Sequence, residues 1–301
     1  MYEMILEETP CNICGERSVE SLFNSRGGHR QIEAYLPTTD FFSRYGHVVR
    51  CPICHVPRMS PRPREEFLLK SYRESSDPLY LEEEKGRLKT AKRLLDIVAR
   101  VVPSGRLLDL GCGAGILLTA AVGRWDGVGV ELSQWAAEQA RKRFGLNVVE
   151  GTLKEAAFPS SLFDAVTMID VIEHLPDPRD VVCEVHRVLR PSGVFFVLTP
   201  DIGAIVARLM GRWWWGLRPA HLYYFSRQTL TALLEANGFN VISAGHYGRQ
   251  FSLGYWISRL KGYAPAMMKG VARVTGAAGI NRAPIYLNTF DSVGILAVKK
   301  D

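Results

Sequence analysis

Between Arg106 and Phe239 the apolar positions of the chain keep changing period, and each change predicts an element. "RLLDLG" (106–111) is a short apolar run that predicts a strand, and "GILLTAAVGR" (115–124) carries apolar residues at helical spacing. "GVGVELS" predicts a second strand, "QWAAEQARKRFG" a helix, "NVVEG" a third strand and "FDAVTMIDV" a fourth. "PRDVVCEVHRVLR" then reads as a helix, "GVFFVLTPD" as a fifth strand, and "SRQTLTALLEANGF" as a helix ended by Gly238. Strand and helix in strict turn predict an α/β fold, a doubly wound Rossmann-like sheet with helices on both faces. "NVISAGHY" and "DSVGILAVKK" add two strands for a total of seven, with a helical insertion at about 251–290 between them.

Upstream the pattern differs. Residues 1–64 contain no long periodic segment and close on the rigid "MSPRPR", so they predict a small module with a thin core. From Glu65 onward "EEFLLKSYRES" and "LEEEKGRLKTAKRLLDIVARVV" predict helices leading into the main domain, 65–301. Composition changes this picture little. With 47% apolar residues the chain can bury a core, and its net charge of +6 is modest. No signal-peptide pattern opens the sequence, and Pro200, Asp201, Arg208 and Arg212 interrupt its most apolar region, so a cytoplasmic protein without a membrane span is expected.

The turn "LLDLGCGAG" (107–115) raises the question of a cofactor. A dinucleotide fingerprint needs G-x-G-x-x-G; Gly111 and Gly113 fit its first two places, but Ile116 stands at the third and the extra glycine is Gly115. Asp109 at the strand end would repel a pyrophosphate and welcome an ammonium. S-adenosylmethionine carries an ammonium and a sulfonium and no phosphate. Glu131, 22 residues further on at the end of the second strand, is placed to take both ribose hydroxyls.

With "LLDLGCGAG", "GVGVELS", "FPSSLFDAVTMIDVIEHLPDP", "EVHRVLRPSGVFFVLTPD" and "HLYYFSRQTLTALLEANGF" in order, residues 85–245 resemble the class I S-adenosylmethionine-dependent methyltransferases. The resemblance implies a seven-stranded sheet whose last strand is antiparallel. It also implies a cofactor lying across the carboxyl ends of the first strands, and methyl transfer by in-line displacement at sulfur. It places Asp109, Gly111, Cys112, Gly113, Gly115, Glu131, Leu132, Thr152, Leu153 and Asp170 along that cofactor. Similar enzymes often carry an Asp near the adenine amine; here the place reads Thr152 and Leu153, so the adenine contacts are expected to be a backbone N–H and apolar packing. In "DVIEH", Asp170 is a neighbour for the sulfonium or the acceptor, while Glu173 and His174 can also be packing or capping residues.

"CNIC" and "CPICH" supply four thiols, Cys11, Cys14, Cys51 and Cys54, the set of a closed structural zinc site, which would provide the folding free energy the module lacks. Redox dithiols or disulfides compete with that reading, and His29, His47 and His55 are substitute ligands. Zinc-binding modules of this kind precede the methyltransferase core in a similar bacterial subgroup, often with Gly where His55 stands.

The segment 202–228 holds Trp213, Trp214 and Trp215, which cannot all face one core from one helical turn, and is expected to form a cap over the open site. Its "HLYYF" supplies His221 as the leading base for an oxygen or carbon acceptor, with Asp170 and Tyr223 next, and activity is expected to fall below about pH 6.5. The acceptor is read as a small molecule or glycan precursor. Three competing readings stand beside it. One is a nucleic-acid protein using the module and Arg58, Arg62 and Arg64 on phosphates; another is a scaffold without catalysis; the third is an enzyme whose segment 202–217 lies in a membrane interface to reach a lipid-linked acceptor.

Overall fold

The computed structural model describes residues 6–27, 45–260 and 263–300. The first part of the chain forms five short strands, β1 (Leu6–Glu7), β2 (Glu20–Phe23), β3 (Val48–Arg50), β4 (Pro57–Met59) and β5 (Arg62–Pro63). Of these, β2, β3 and β4 make a three-stranded antiparallel sheet, and β1 pairs with β5. Helices α1 (Glu65–Arg73), α2 (Pro78–Glu82) and α3 (Glu84–Val98) lead into the sheet domain. The sequence predicts a helix from Leu81 onward; the structure ends α2 and begins α3 on either side of Glu83, whose carboxylate accepts from the Ser252 N–H at 2.7 Å and the Ser252 hydroxyl at 2.5 Å.

The sheet domain follows as β6 (Gly105–Leu110), α4 (Ile116–Ala121), β7 (Trp125–Glu131), α5 (Gln134–Phe144), β8 (Asn147–Glu150), β9 (Phe163–Ile169), α6 (Pro178–Val188) and β10 (Leu189–Pro200). Next come α7 (Ile205–Met210), α8 (Arg227–Ala236), β11 (Phe239–His246), β12 (Arg249–Ser252), α9 (Leu253–Leu260), α10 (Pro265–Ala277), β13 (Pro284–Leu287) and β14 (Ser292–Lys299). Seven strands form one sheet in the order β11-β14-β10-β9-β6-β7-β8. Neighbours are parallel from β10 through to β8, while β14 runs antiparallel to both β10 and β11, as the resemblance implied.

Period-two alternation decides which residues fill each face. Leu108, Leu110, Val166, Met168, Phe195 and Val197 join one core with residues of α6 and α8. Leu107, Ala165, Phe196 and Leu198 join the other with Leu94, Leu95 and Val98 of α3 and Leu117 of α4. The helices begin where capping chemistry allows: the Ser133 and Asp177 side chains accept from the N–H groups of Ala136 and Asp180, and Ser226 with Thr229 closes a capping box. All six parallel strands therefore deliver their carboxyl ends to one edge of the domain, where the loops that carry polar residues gather.

The N-terminal strands are sewn to that edge. The Met59 N–H donates to the Leu222 carbonyl at 2.8 Å, the Tyr224 N–H donates to the Pro57 carbonyl at 2.9 Å, and Arg58 pairs with Tyr223 as an isolated bridge. Among the described residues no helix is long and apolar enough to cross a membrane.

Candidate active site and metal centre

The turn after β6 is shaped by backbone that only glycine takes without strain. Gly111 has φ +70°, and a Cβ there would lie 2.4 Å from Val171; Gly115, at φ +80°, opens α4 with a Cβ position 2.3 Å from Leu146. Gly115 thus serves the packing of α4 against α5, while Gly111, Cys112 and Gly113 line a large cavity at the carboxyl edge of the sheet. The cavity measures about 810 Å³. Asp109, Glu131, Leu132, Thr152, Leu153 and Asp170 line it as well.

Glu131, at the tip of β7, ties the turn together: its Oε2 accepts from the Gly113 N–H at 2.8 Å and its Oε1 from the Ser133 N–H at 2.7 Å. These bonds fix the carboxylate plane and leave each oxygen a second lone pair for a ligand hydroxyl. Burial raises the Glu131 carboxyl above its usual range, against the pull of those backbone bonds. Asp109 is 3% exposed and accepts from the Thr167 hydroxyl at 2.7 Å; burial pushes its carboxyl up to about 7. Burial also raises the Cys112 thiol, which keeps it protonated and unreactive. Where the sequence predicts an adenine contact, the Thr152 N–H is already engaged, donating to Glu155 Oε2 at 2.7 Å, and the Thr152 hydroxyl accepts from the Glu155 N–H at 3.2 Å.

The other end of the cavity is built by "DVIEH" and "HLYYF". Asp170, at φ +55°, holds Arg249 of β12 in a two-point ion pair, with Nη2 to Oδ1 at 2.6 Å and Nη1 to Oδ2. Glu173 is buried, accepts from the Thr199 hydroxyl at 2.9 Å, and is pushed up to about 8 by burial and then by the Asp170 charge. His174 lies with Nδ1 2.8 Å from both the Ala220 carbonyl and the Tyr72 hydroxyl, and His221 with Nδ1 2.9 Å from the Gly216 carbonyl. A carbonyl can only accept, so each Nδ1 carries the proton and each Nε2 keeps its lone pair. The two rings meet edge to face with centroids 4.7 Å apart. Burial lowers His174 to about 4; burial, then His174 and Arg218, hold His221 well below 6.5.

His221 therefore lines the cavity in the neutral form a base requires, but the acid limb expected near pH 6.5 moves well down the scale. Tyr223 is a different case. Its ring is stacked on Phe225, its hydroxyl faces the Pro176 carbonyl at 3.5 Å beside the N-terminal strands, and it is not among the residues that line the cavity. The structure thus removes Tyr223 as a candidate for touching an acceptor, because the Arg58 bridge turns that residue toward the N-terminal sheet. The three tryptophans separate as their spacing requires: Trp213 is half exposed under the Arg26 guanidinium, Trp214 is buried with Nε1 donating to Asp291 at 2.9 Å, and Trp215 lines the cavity.

Sequence reasoning missed the contribution of the insertion. Arg249, Phe251, Tyr255, Trp256 and Arg259 all line the cavity, and Arg87 of α3 stacks over Tyr80 and Phe251. The aromatic spacing of "FSLGYW" was the available signal, but no motif ties it to the cofactor loops 140 residues away.

The four module cysteines come together as expected. Sγ of Cys11 lies 3.5 Å from Sγ of Cys54, Sγ of Cys14 lies 3.4 Å from Sγ of Cys51, and the four sulfurs all fall within 4.8 Å of one another. A zinc tetrahedron with 2.3 Å bonds has S···S edges of about 3.8 Å, so the donor set suits that ion. Each pair closes a tight turn in which the fourth residue on from the first cysteine donates back to its carbonyl, Gly15 to Cys11 and His55 to Cys51. Gly15 has φ +82° and His55 φ +59°, so His55 occupies a glycine-like backbone position and stays out of the cluster. His47 is engaged by Ser21 and Ser60, and His29 lies outside the described residues. Arg58 and Arg62 are buried, and Arg62 Nη1 donates to the Pro176 carbonyl at 2.6 Å. Of the arginine cluster considered for nucleic acid only Arg64 is exposed, so it forms no phosphate-binding face.

Comparison with known proteins agrees with this geometry. Residues 82–244 match a family model described as a methyltransferase domain. A Mycolicibacterium smegmatis protein named "Probable S-adenosylmethionine-dependent methyltransferase" is 36% identical over 138 residues, 45% of this chain and 52% of that one. A ubiquinone biosynthesis O-methyltransferase of Methylococcus capsulatus is 35% identical over 127 residues, 38% of this chain and 54% of its own length. The chain spans about half the length of these curated relatives. Among solved structures, a SAM-dependent methyltransferase from Archaeoglobus fulgidus superimposes with a TM-score of 0.51 at 20% identity, covering 74% of this chain and all of that one, a likeness of fold. The seven-stranded sheet with its reversed β14, the glycine turn anchored by Glu131 and the match over more than half the chain lead to one conclusion: this protein belongs to the methyltransferase domain family and has the class I S-adenosylmethionine-dependent methyltransferase fold.

Proposed function

We propose that the protein transfers a methyl group from S-adenosylmethionine to a hydroxyl of a small, ring-bearing molecule, and that its four module cysteines hold a structural zinc ion. One observation carries the reading: a single cavity joins a backbone-anchored carboxylate, Glu131, to a neutral imidazole, His221. The residues fit the cofactor. Glu131 offers two oriented acceptors for a ribose, Asp109 a buried carboxylate for an ammonium, and Leu132 and Leu153 apolar walls for an adenine. When bound, the cofactor supplies a methyl on positively charged sulfur, which is already activated for displacement. The protein's work is then alignment, exclusion of water by the aromatic insertion, and removal of the hydroxyl proton at His221 Nε2. The relatives named as ubiquinone biosynthesis O-methyltransferases support a small aromatic acceptor, and Trp215, Tyr255 and Trp256 give it flat surfaces to stack on. Incubation with methyl-labelled S-adenosylmethionine and a set of phenols and catechols tests the reading; failure to bind the cofactor would reject it.

Two expectations follow from the buried titrating groups. Burial pushes the Asp109 carboxyl up to about 7, whereas a bound cation favours its ionised form. Cofactor binding should therefore release protons, and affinity should drop by up to about tenfold per pH unit below 7. Calorimetry at about pH 6.5 in two buffers of different ionisation enthalpy reads this directly. Identical observed heats in the two buffers would show that no proton is released and that no cation meets Asp109, and Asp109→Asn should abolish the proton release.

The second concerns His221. His221→Ala should leave cofactor affinity nearly intact and lower turnover by about 10²-fold. The lowered imidazole means that wild-type turnover holds at pH values below 6.5 and fails only well below them, once Nε2 is protonated. Full turnover in the alanine variant would remove His221 from the proton transfer, and an acid limb centred at 6.5 would contradict the lowered imidazole.

A further inference from the structure

Residues 202–290 carry ten Lys and Arg side chains and a single acid, Glu235. This surplus of nine exceeds the +6 of the whole protein, so the rest of the chain is net acidic at −3. Within this stretch Arg227 opens α8 and Arg249 is paired with Asp170, while Arg208 lies in α7, Arg212 just after it, and Arg259, Lys269, Arg273 and Arg282 in the insertion from β12 to β13; the insertion meets the turn after α7 where the Tyr263 hydroxyl donates to the Trp213 carbonyl at 2.8 Å. On their outer surface Met267, Val271 and Val274 form an exposed stripe at helical spacing along α10, and Ile205 and Leu209 stand out from α7, Leu209 at 83% exposure. Arg208, Arg212, Lys269, Arg273 and Arg282 are exposed on the same elements. The insertion, which carries the α10 stripe, lies beyond the residues shared with the family, 82–244, whereas α7 lies within them, so the methyltransferase fold does not require the α10 part of this surface.

We propose that this face docks on an anionic lipid bilayer, with the apolar side chains entering the headgroup boundary and the basic ones meeting lipid phosphates. Charge decides against a second copy of the chain as the occupant. Two such faces brought together would oppose like charges, whereas an anionic surface neutralises them. An apolar stripe with Lys and Arg as its only charged companions is the composition of an interfacial helix. Because the inner side of the same insertion lines the cavity through Tyr255 and Trp256, docking sets the cavity mouth at the water–lipid boundary.

The proposal stands apart from the methyl-transfer reading, since vesicle binding needs no cofactor. The full chain should sediment with vesicles of phosphatidylglycerol and phosphatidylcholine, and only weakly with phosphatidylcholine alone or at high salt. Lys269→Glu with Arg273→Glu should reduce partitioning at least about tenfold, given about fivefold per neutralised charge. Leu209→Asp with Val274→Asp should reduce it comparably while leaving the buried core untouched. Absence of binding to the anionic vesicles, full binding by both double variants, or a solution dimer that Val274→Asp splits would each overturn the proposal.

Discussion

Replacing Glu131 by alanine is expected to weaken S-adenosylmethionine binding about 10³-fold, the combined loss of two charge-assisted hydrogen bonds at about 1.5–3 kcal/mol each. The structure adds a reason beyond the ribose. Glu131 also fixes the Gly113 and Ser133 N–H groups, so its removal frees the glycine turn that lines the cofactor end of the cavity. Glu131→Gln should recover little, because its amide nitrogen would face one of those two N–H donors with a donor of its own. Calorimetric titration reads both variants. Near-wild-type affinity in Glu131→Gln would mean that the carboxylate recognises nothing in the cofactor.

The second large effect is expected from the cysteine cluster. Gently purified protein should contain about one zinc ion per chain, and Cys51→Ala should lose it and unfold the N-terminal strands, because a short segment with few core residues depends on metal for its folding free energy. Cys51 is fully buried, so the variant also leaves a hole at the end of β3. The sheet, whose two cores lie on its own faces, should stay folded. The damage should nonetheless travel, since β4 is hydrogen-bonded to residues 222–224, next to His221. Hydrogen exchange should show the amides of Met59 and Tyr224 losing protection together. Elemental analysis without metal, or protection at Tyr224 unchanged in the variant, would contradict this account. A tetrathiolate zinc centre carries two negative charges, and Arg58, whose buried Nε and Nη1 make no hydrogen bond, lies in the strand that follows Cys54.

The succession of strands and helices and the cofactor end were legible because each rests on local signals, while the reversed last strand came only with the family resemblance. Asp109, the glycine turn and Glu131 sit at strand ends fixed by period-two runs, and backbone sterics at Gly111 leave the chain one way to turn. The four cysteines were legible because metal-ligand spacing is itself local. The acceptor end was not, because it is assembled from contacts distant in sequence. Nothing in "DVIEH" announces that Asp170 pairs with Arg249, 79 residues away, or that His174 meets His221. Tyr223 was misjudged for the same reason: its neighbour His221 turns inward, and the bridge to Arg58 sends the next side chain but one along the opposite way. Histidine pKa values follow burial, which sequence does not display.

The root of the insertion is pinned to the body of the protein by three contacts: Arg249 to Asp170, the Gln250 N–H to the Thr90 hydroxyl, and Ser252 to Glu83. Residues 253–283 lie between that root and the return at β13 and make none of these three contacts. A chimera that exchanges this one segment and keeps Arg249, Gln250 and Ser252 should carry over cofactor affinity unchanged while taking the acceptor range of the donor.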